Sequence, residues 1–202
     1  MIRISKVTVT ILLLMAILSG CHRKVPVPRP RGYFRIALPE KSYIKYADGR
    51  KKDLLLPFTF EYPAYGKISY ESDDVSAPGW VNIDFPAYKA RIYLTYKNVN
   101  NNLEELMDQG YTLNVRNHII KADAISENMI TNAEKRVYGI LYDLKGSTAT
   151  SVQFFVTDSV NHYLRGSLYF AAQPDPDSLA PVIDFFRKDI DHLIETLEWR
   201  DN

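Results

Sequence analysis

A chain of 202 residues with 25 lysines and arginines against 24 aspartates and glutamates has a formal charge of +1, which leaves no basic excess to hold nucleic acid. Hydrophobic residues make up 46% and aromatics 12%, enough for a sizeable core in one domain of ordinary size. Cys21 is the only cysteine, so no intrachain disulfide forms and the fold must stand without covalent staples.

The first elements are processing signals. Arg3 and Lys6 form a positive start, and Val7 to Leu18 an apolar run too short for a finished span of a bilayer core of about 30 Å. The run ends in Leu18-Ser19-Gly20-Cys21, a lipobox whose small residues admit the peptidase and whose thiol accepts lipid. Residues 1–20 are therefore read as a removed signal peptide and Cys21 as the lipidated first residue. Removal of Arg3 and Lys6 lowers the basic count from 25 to 23 against 24 acids. Residues 21–31 form a tether. Pro26, Pro28 and Pro30 favour stiff polyproline II. His22, Arg23, Lys24, Arg29 and Arg31 read either as a basic patch for anionic headgroups, at about 1 kcal/mol each near a charged surface, or as a solvated linker.

Residues 32–202 read as one globular domain. The chain turns aromatic at Tyr33 and Phe34, then Tyr43 and Tyr46, a stretch expected to leave an exposed patch of the kind that binds protein. After a polar loop over 48–53, Phe58, Phe60 and Tyr62 alternate with Thr59 and Glu61, a half-buried strand closed by Pro63. Lys67 to Glu71 is a further strand, and Trp80 to Phe85 pairs with Ala90 to Tyr96 around Pro86. Asn100 to Asn102 offers caps to an amphipathic helix expected to reach Ile120. Three strands follow, over 137–144, 151–157 and 163–170, as an antiparallel meander with turns near 146–149 and 158–161. The last element is a helix whose stripe of Leu179, Val182, Ile183, Phe186, Ile190, Leu193, Ile194 and Leu197 keeps helical spacing. Asp177 or Ser178 is its expected cap, with Pro181 in the first turn. The class is α+β, an antiparallel sheet covered by helices.

Catalytic and metal motifs are scarce. There is no nucleophile elbow, phosphate-binding glycine loop or His-Glu-x-x-His, and His118, His162 and His192 share no ligand spacing. No metal and no cofactor is expected. Ser151, Asp158 and His162 lie near one hairpin and form a paper triad, but nothing supplies a base in reach or an oxyanion site. The simpler reading makes Asp158 and Ser159 an Asx turn and sets Gln153, Thr157 and Arg165 on one sheet face. Arg165 beside Gly166 also suits a partner's carboxylate. Oxygens clustered at 174–178 do not match a calcium loop, and helix capping explains them.

Distinctive runs lie at Pro30 to Ile36 with Leu38-Pro39, Pro57 to Pro63, Trp80 to Ile83, Tyr93 to Lys97, Val137 to Gly139, Ser151 to Ser159, Arg165 to Phe170, and His192 to Thr196 with Trp199. On these residues the chain resembles the gliding-motility lipoprotein GldD family of the Bacteroidetes over essentially its whole mature length. The resemblance implies an accessory lipoprotein of gliding motility, a process linked to type IX secretion, with no catalytic residue to transfer. Lipidation transfers to Cys21. The motif clusters transfer as candidate partner contacts, namely Arg31, Tyr33, Phe34, Arg35, Gln153, Thr157, Asp158, His162 and Arg165. The partners implied are the bilayer, through acylated Cys21, and other envelope proteins of the assembly. Because His22-Arg23-Lys24 is basic where surface-exported lipoproteins of this phylum carry acids, the domain is expected to face the periplasm from the inner membrane or the inner leaflet of the outer one. The order of strands and helices also resembles the Mog1/PsbP α-β-α sandwich, an analogy of fold alone. The alternatives are an envelope hydrolase built on Ser151, Asp158 and His162, or a small-ligand module built on the 151–165 hairpin.

Overall fold

The alternating segments pair into a single antiparallel sheet of seven strands. A computed structural model describes residues 36–47, 56–70, 79–171 and 176–200, apart from the side chains of 176–178. All of these belong to one compact unit, Arg35–Asn202. The strands are β1 (Tyr43–Lys45), β2 (Phe58–Thr59), β3 (Glu61–Pro63), β4 (Lys67–Ser69), β5 (Trp80–Phe85), β6 (Ala90–Asn98), β7 (Ala122–Asn132), β8 (Val137–Gly146), β9 (Thr150–Thr157), β10 (His162–Phe170) and β11 (Glu198–Trp199). Helix α1 spans Leu103–Tyr111 and helix α2 Pro176–Thr196. The large sheet runs β4-β5-β6-β10-β9-β8-β7, while β1 pairs β3 and β2 pairs β11 in two small ladders.

Register explains the layers. Leu164 lies opposite Val156 and Leu168 opposite Val152, so these side chains share one face. On that face they pack with Val182, Phe186, Ile190 and Leu193 of α2. Tyr163 opposite Thr157, Arg165 opposite Phe155 and Ser167 opposite Gln153 occupy the other face. There Phe155 and Tyr163 pack with Leu106 and with Val115 just beyond α1. Helices thus cover both faces of the central strands, and the architecture is the α+β sandwich that the sequence implied. Phe186 sits at the centre, its ring 4.5 Å from that of Phe85 and 6.1 Å from that of Phe170.

Four expectations change. The strand foreseen over 58–62 divides at Phe60, where the chain crosses from the β11 ladder to the β1 ladder, and Thr59 is buried along with Phe58 and Phe60. The helix foreseen to Ile120 ends at Tyr111 and widens into a π turn over Thr112–Arg116. That extra residue per turn points Asn114 and Val115 inward together. Asn102 is the N-cap residue, yet its side chain accepts from the Asn100 backbone N–H at 2.8 Å instead of capping the helix. Helix α2 begins at Pro176, ahead of Asp177 and Ser178, so Pro181 lies inside the helix rather than in its first turn. Strand β7 carries no sequence signal, because its side chains are mostly exposed and lack alternation.

Candidate functional site

Cys21, Arg31, Tyr33, Phe34 and Arg35, with the tether between them, lie outside the described residues. The aromatic stretch that follows turns inward where it is described. Tyr46 is buried and Tyr43 half-buried, leaving Ile36 and Ile44 as its exposed large apolar residues.

The hairpin residues offered as partner contacts are interior. Gln153, Thr157, Asp158 and His162 are 0 to 6% exposed, so none presents a surface to a partner. Alternation along β9 and β10 sends Gln153, Arg165 and Ser167 to the face that α1 and its π turn cover. There the Arg165 guanidinium donates through Nη2 to Gln153 Oε1 at 2.6 Å and through Nε to Asn114 Oδ1 at 2.8 Å. Ser167 Oγ donates to the same Gln153 oxygen at 3.2 Å. Arg165 has no ion pair among the described residues, and burial pushes its guanidinium below its ordinary value. Its fork is used to tie the π turn to the sheet, not held out for a foreign carboxylate.

Asp158 forms the expected turn. Its Oδ1 accepts from the backbone N–H groups of Val160, Asn161 and His162 at 3.0, 2.8 and 2.8 Å. Burial works to raise this carboxyl, but the three donors and the nearby His162 ring outweigh it and leave it below the ordinary range. His162 Nδ1 lies 2.8 Å from the Tyr96 hydroxyl, and the imidazole stacks on Trp199 with centroids 5.0 Å apart. Ser151 stands seven positions from Asp158 along β9, about 23 Å of extended chain. The Ser151, Asp158, His162 triad is therefore dismantled by the strand itself.

A second cluster was missed. Asp189 is fully buried on α2, although carboxylates rarely bury without a partner. Lys41 Nζ reaches its Oδ1 at 2.6 Å, the Tyr43 hydroxyl donates to the same oxygen at 3.0 Å, and the Tyr65 hydroxyl donates to Oδ2 at 2.6 Å. Lys41 also donates to the Phe185 carbonyl at 2.8 Å and lies 3.3 Å from the Phe185 ring centroid. Burial lowers the ammonium from its ordinary value despite the carboxylate, and burial with the Asp189 bond raises both tyrosines. Beside it, Tyr43 stacks on His192, whose Nε2 lies 2.7 Å from Glu61 Oε2. The segment carrying Lys41 and Tyr43 is thus fastened to α2. The available signal was periodicity: Asp189 sits at i+7 from Val182, within the apolar stripe.

An open groove of about 910 Å³ runs between α2 and the β7–β8 side of the sheet. Leu144, Phe170 and Ile183 line it, and Arg187 bridges Asp143 and Asp191 across it. Ser151 opens into this groove, away from Gln153, Thr157 and Arg165, so the hairpin residues do not share one ligand pocket.

The family model described as gliding motility lipoprotein GldD matches residues 23–199. The chain is similar to the solution structure of cyanobacterial PsbP (CyanoP) from Synechocystis sp. PCC 6803, at 12% identity and a TM-score of 0.45, over 82% of this chain and 97% of that one. No curated protein matches the chain. With the match running over residues 23–199, the chain belongs to the gliding motility lipoprotein GldD family.

Proposed function

We propose that this lipoprotein works by docking rather than by catalysis, as an accessory component of a gliding-motility assembly linked to type IX secretion. Acylated Cys21 holds it to a membrane with the domain facing the periplasm, where other envelope proteins of the assembly bind it. The match to the motility family over residues 23–199 carries this reading, since it spans every described element. The side chains support it. Asp158 is committed to its turn and His162 to Tyr96 and Trp199, so the groups best suited to acid–base work maintain the hairpin instead. A clean deletion tests the proposal: loss of colony spreading or of secreted cargo is expected, with recovery from a plasmid copy. Normal spreading and normal export in the deletion strain would overturn it.

A further inference from the structure

The seven-stranded sheet has two unequal edges. At one end β4 is three residues long and begins with a lysine. At the other, β7 runs for eleven residues, Ala122–Asn132, and among the described residues pairs only with β8. In an antiparallel ladder, half of an edge strand's N–H and C=O groups point away from its one neighbour. Long edges of this kind template further strands unless lysine, proline or a cover blunts them. Between Ala122 and Asn132 there is no lysine, arginine or proline, and the one register irregularity lies at the 122–124 end.

The side chains of the edge are just as open. Met129 is 86% exposed, and Ile119 and Ile120, in the turn leading into β7, are 63% and 94% exposed. Register places Ile125 opposite Leu144, Glu127 opposite Tyr142 and Met129 opposite Ile140, all on the face that α1 covers nearer the centre. That face therefore reads apolar, acidic, apolar at successive in-plane positions, and it continues outward from the core.

Charge decides between occupants. The strand's ionisable side chains are Asp123 and Glu127, both acidic. A second copy paired by a two-fold axis at Glu127 sets that carboxylate against itself and an axis at Ile125 sets Asp123 against Glu127, while axes at Ser126 or Asn128 set both acids opposite apolar residues with no cation to pair them. Like charges directly opposite destabilise a ladder. A strand with a cation between two apolar residues, all on one face, satisfies Ile125, Glu127 and Met129 together.

We propose that β7 is the docking edge of this protein and receives an extended segment of a partner protein in the pattern apolar–x–Lys/Arg–x–apolar, which joins the sheet as its eighth strand. The proposal rests on the docking reading above and supplies the chemistry of the partner.

Hydrogen exchange on the full chain in detergent micelles tests it, with a short peptide repeating valine-threonine-lysine-threonine as the probe. The expected result is slowing by about tenfold confined to Ala122–Asn132, with no slowing by the same peptide carrying glutamate for lysine. Glu127→Lys is expected to reverse that preference, and Glu127→Gln to weaken it if the reversal disturbs the fold. No slowing at β7, or equal slowing by both peptides, overturns the proposal. So does protection of β7 by self-association without peptide, which would make a second copy the occupant. In the deletion strain, a folded chain carrying Glu127→Lys and Met129→Lys is expected not to restore spreading. If the unaltered chain and this variant restore it equally, the edge is wrong while the docking function stands.

Discussion

The ammonium of Lys41 lies 2.6 Å from the carboxylate of Asp189, a contact between the chain just beyond the tether and the buried face of α2. The lysine side chain is 27% exposed and the aspartate 0%. A pair of this kind adds little net stability over an apolar replacement, but removing one member strands the other charge. Its position fastens the segment around β1 to α2.

Asp189→Ala is accordingly expected to cost about 3 kcal/mol, since it strands Lys41 and two tyrosine hydroxyls at once. Lys41→Met leaves the carboxylate with Tyr43 and Tyr65 as donors and is expected to cost about 2 kcal/mol. Urea titration reads both. In the Lys41 variant, limited proteolysis is expected to cut near β1 before the sheet is touched. Midpoints equal to those of the unaltered protein would show that the cluster fastens nothing.

Gly110 on α1 lies hard against the sheet, because a Cβ there would overlap the Tyr163 hydroxyl. That hydroxyl is buried without a hydrogen-bond partner among the described residues, and burial pushes its pKa up to about 12. Gly110→Ala is expected to destabilise by about 1–3 kcal/mol through overpacking. Tyr163→Phe alone is expected to be neutral or slightly stabilising, since it removes an unsatisfied polar atom. Together they are expected to be more stable than Gly110→Ala, as alanine then contributes its helix propensity of about 1 kcal/mol. Additive effects in this double-mutant cycle would place the contact elsewhere.

How far the fold was legible depends on which signal each segment carries. The stripe from Val182 to Leu197 and the alternation in β9 and β10 record burial directly, and those elements stand where the pattern puts them. Edge strand β7 is buried on neither face, so no periodicity marks it, and Met129 and Glu127 resemble loop residues in the sequence. Polar residues misled for the opposite reason. Gln153, Asp158, His162 and Arg165 looked like contact chemistry because polar groups usually stay wet, yet each is taken up in the interior by a partner distant in sequence or by a turn. Asn114, the partner of Arg165, becomes legible only once the π turn is known to rotate it inward.

The Asx turn at Asp158 predicts a pH dependence with a definite sign. Its folded pKa lies below the ordinary value of 3.8, so its contribution is present above that value and is lost as pH falls through the lower folded one. Asp158→Asn keeps an acceptor oxygen but removes the charge. It is expected to cost about 1 kcal/mol near neutrality and to flatten the fall in stability as pH drops below the ordinary aspartate value of about 4. Other carboxylates titrate in both proteins, so the difference between the two urea midpoint curves is the quantity to read. Parallel curves would show that the turn does not depend on the charge.

Arg165 separates a structural role from a contact role most sharply. Its Nε provides the donor to Asn114 Oδ1, and its Nη2 shares Gln153 Oε1 with Ser167; both acceptor residues are fully buried. Arg165→Ala is expected to cost about 2–4 kcal/mol by leaving those oxygens short of donors. Arg165→Lys keeps the charge but loses the planar fork, so it is expected to recover less than half of that loss. A chain with Arg165→Met, Gln153→Leu and Asn114→Leu replaces the network by apolar groups and is expected to regain most of the stability. If that triple variant also restores spreading in the deletion strain, the fork serves the fold alone. If it folds with the unaltered midpoint yet fails to restore spreading, Arg165 is a contact after all, and the π turn must lift to expose it.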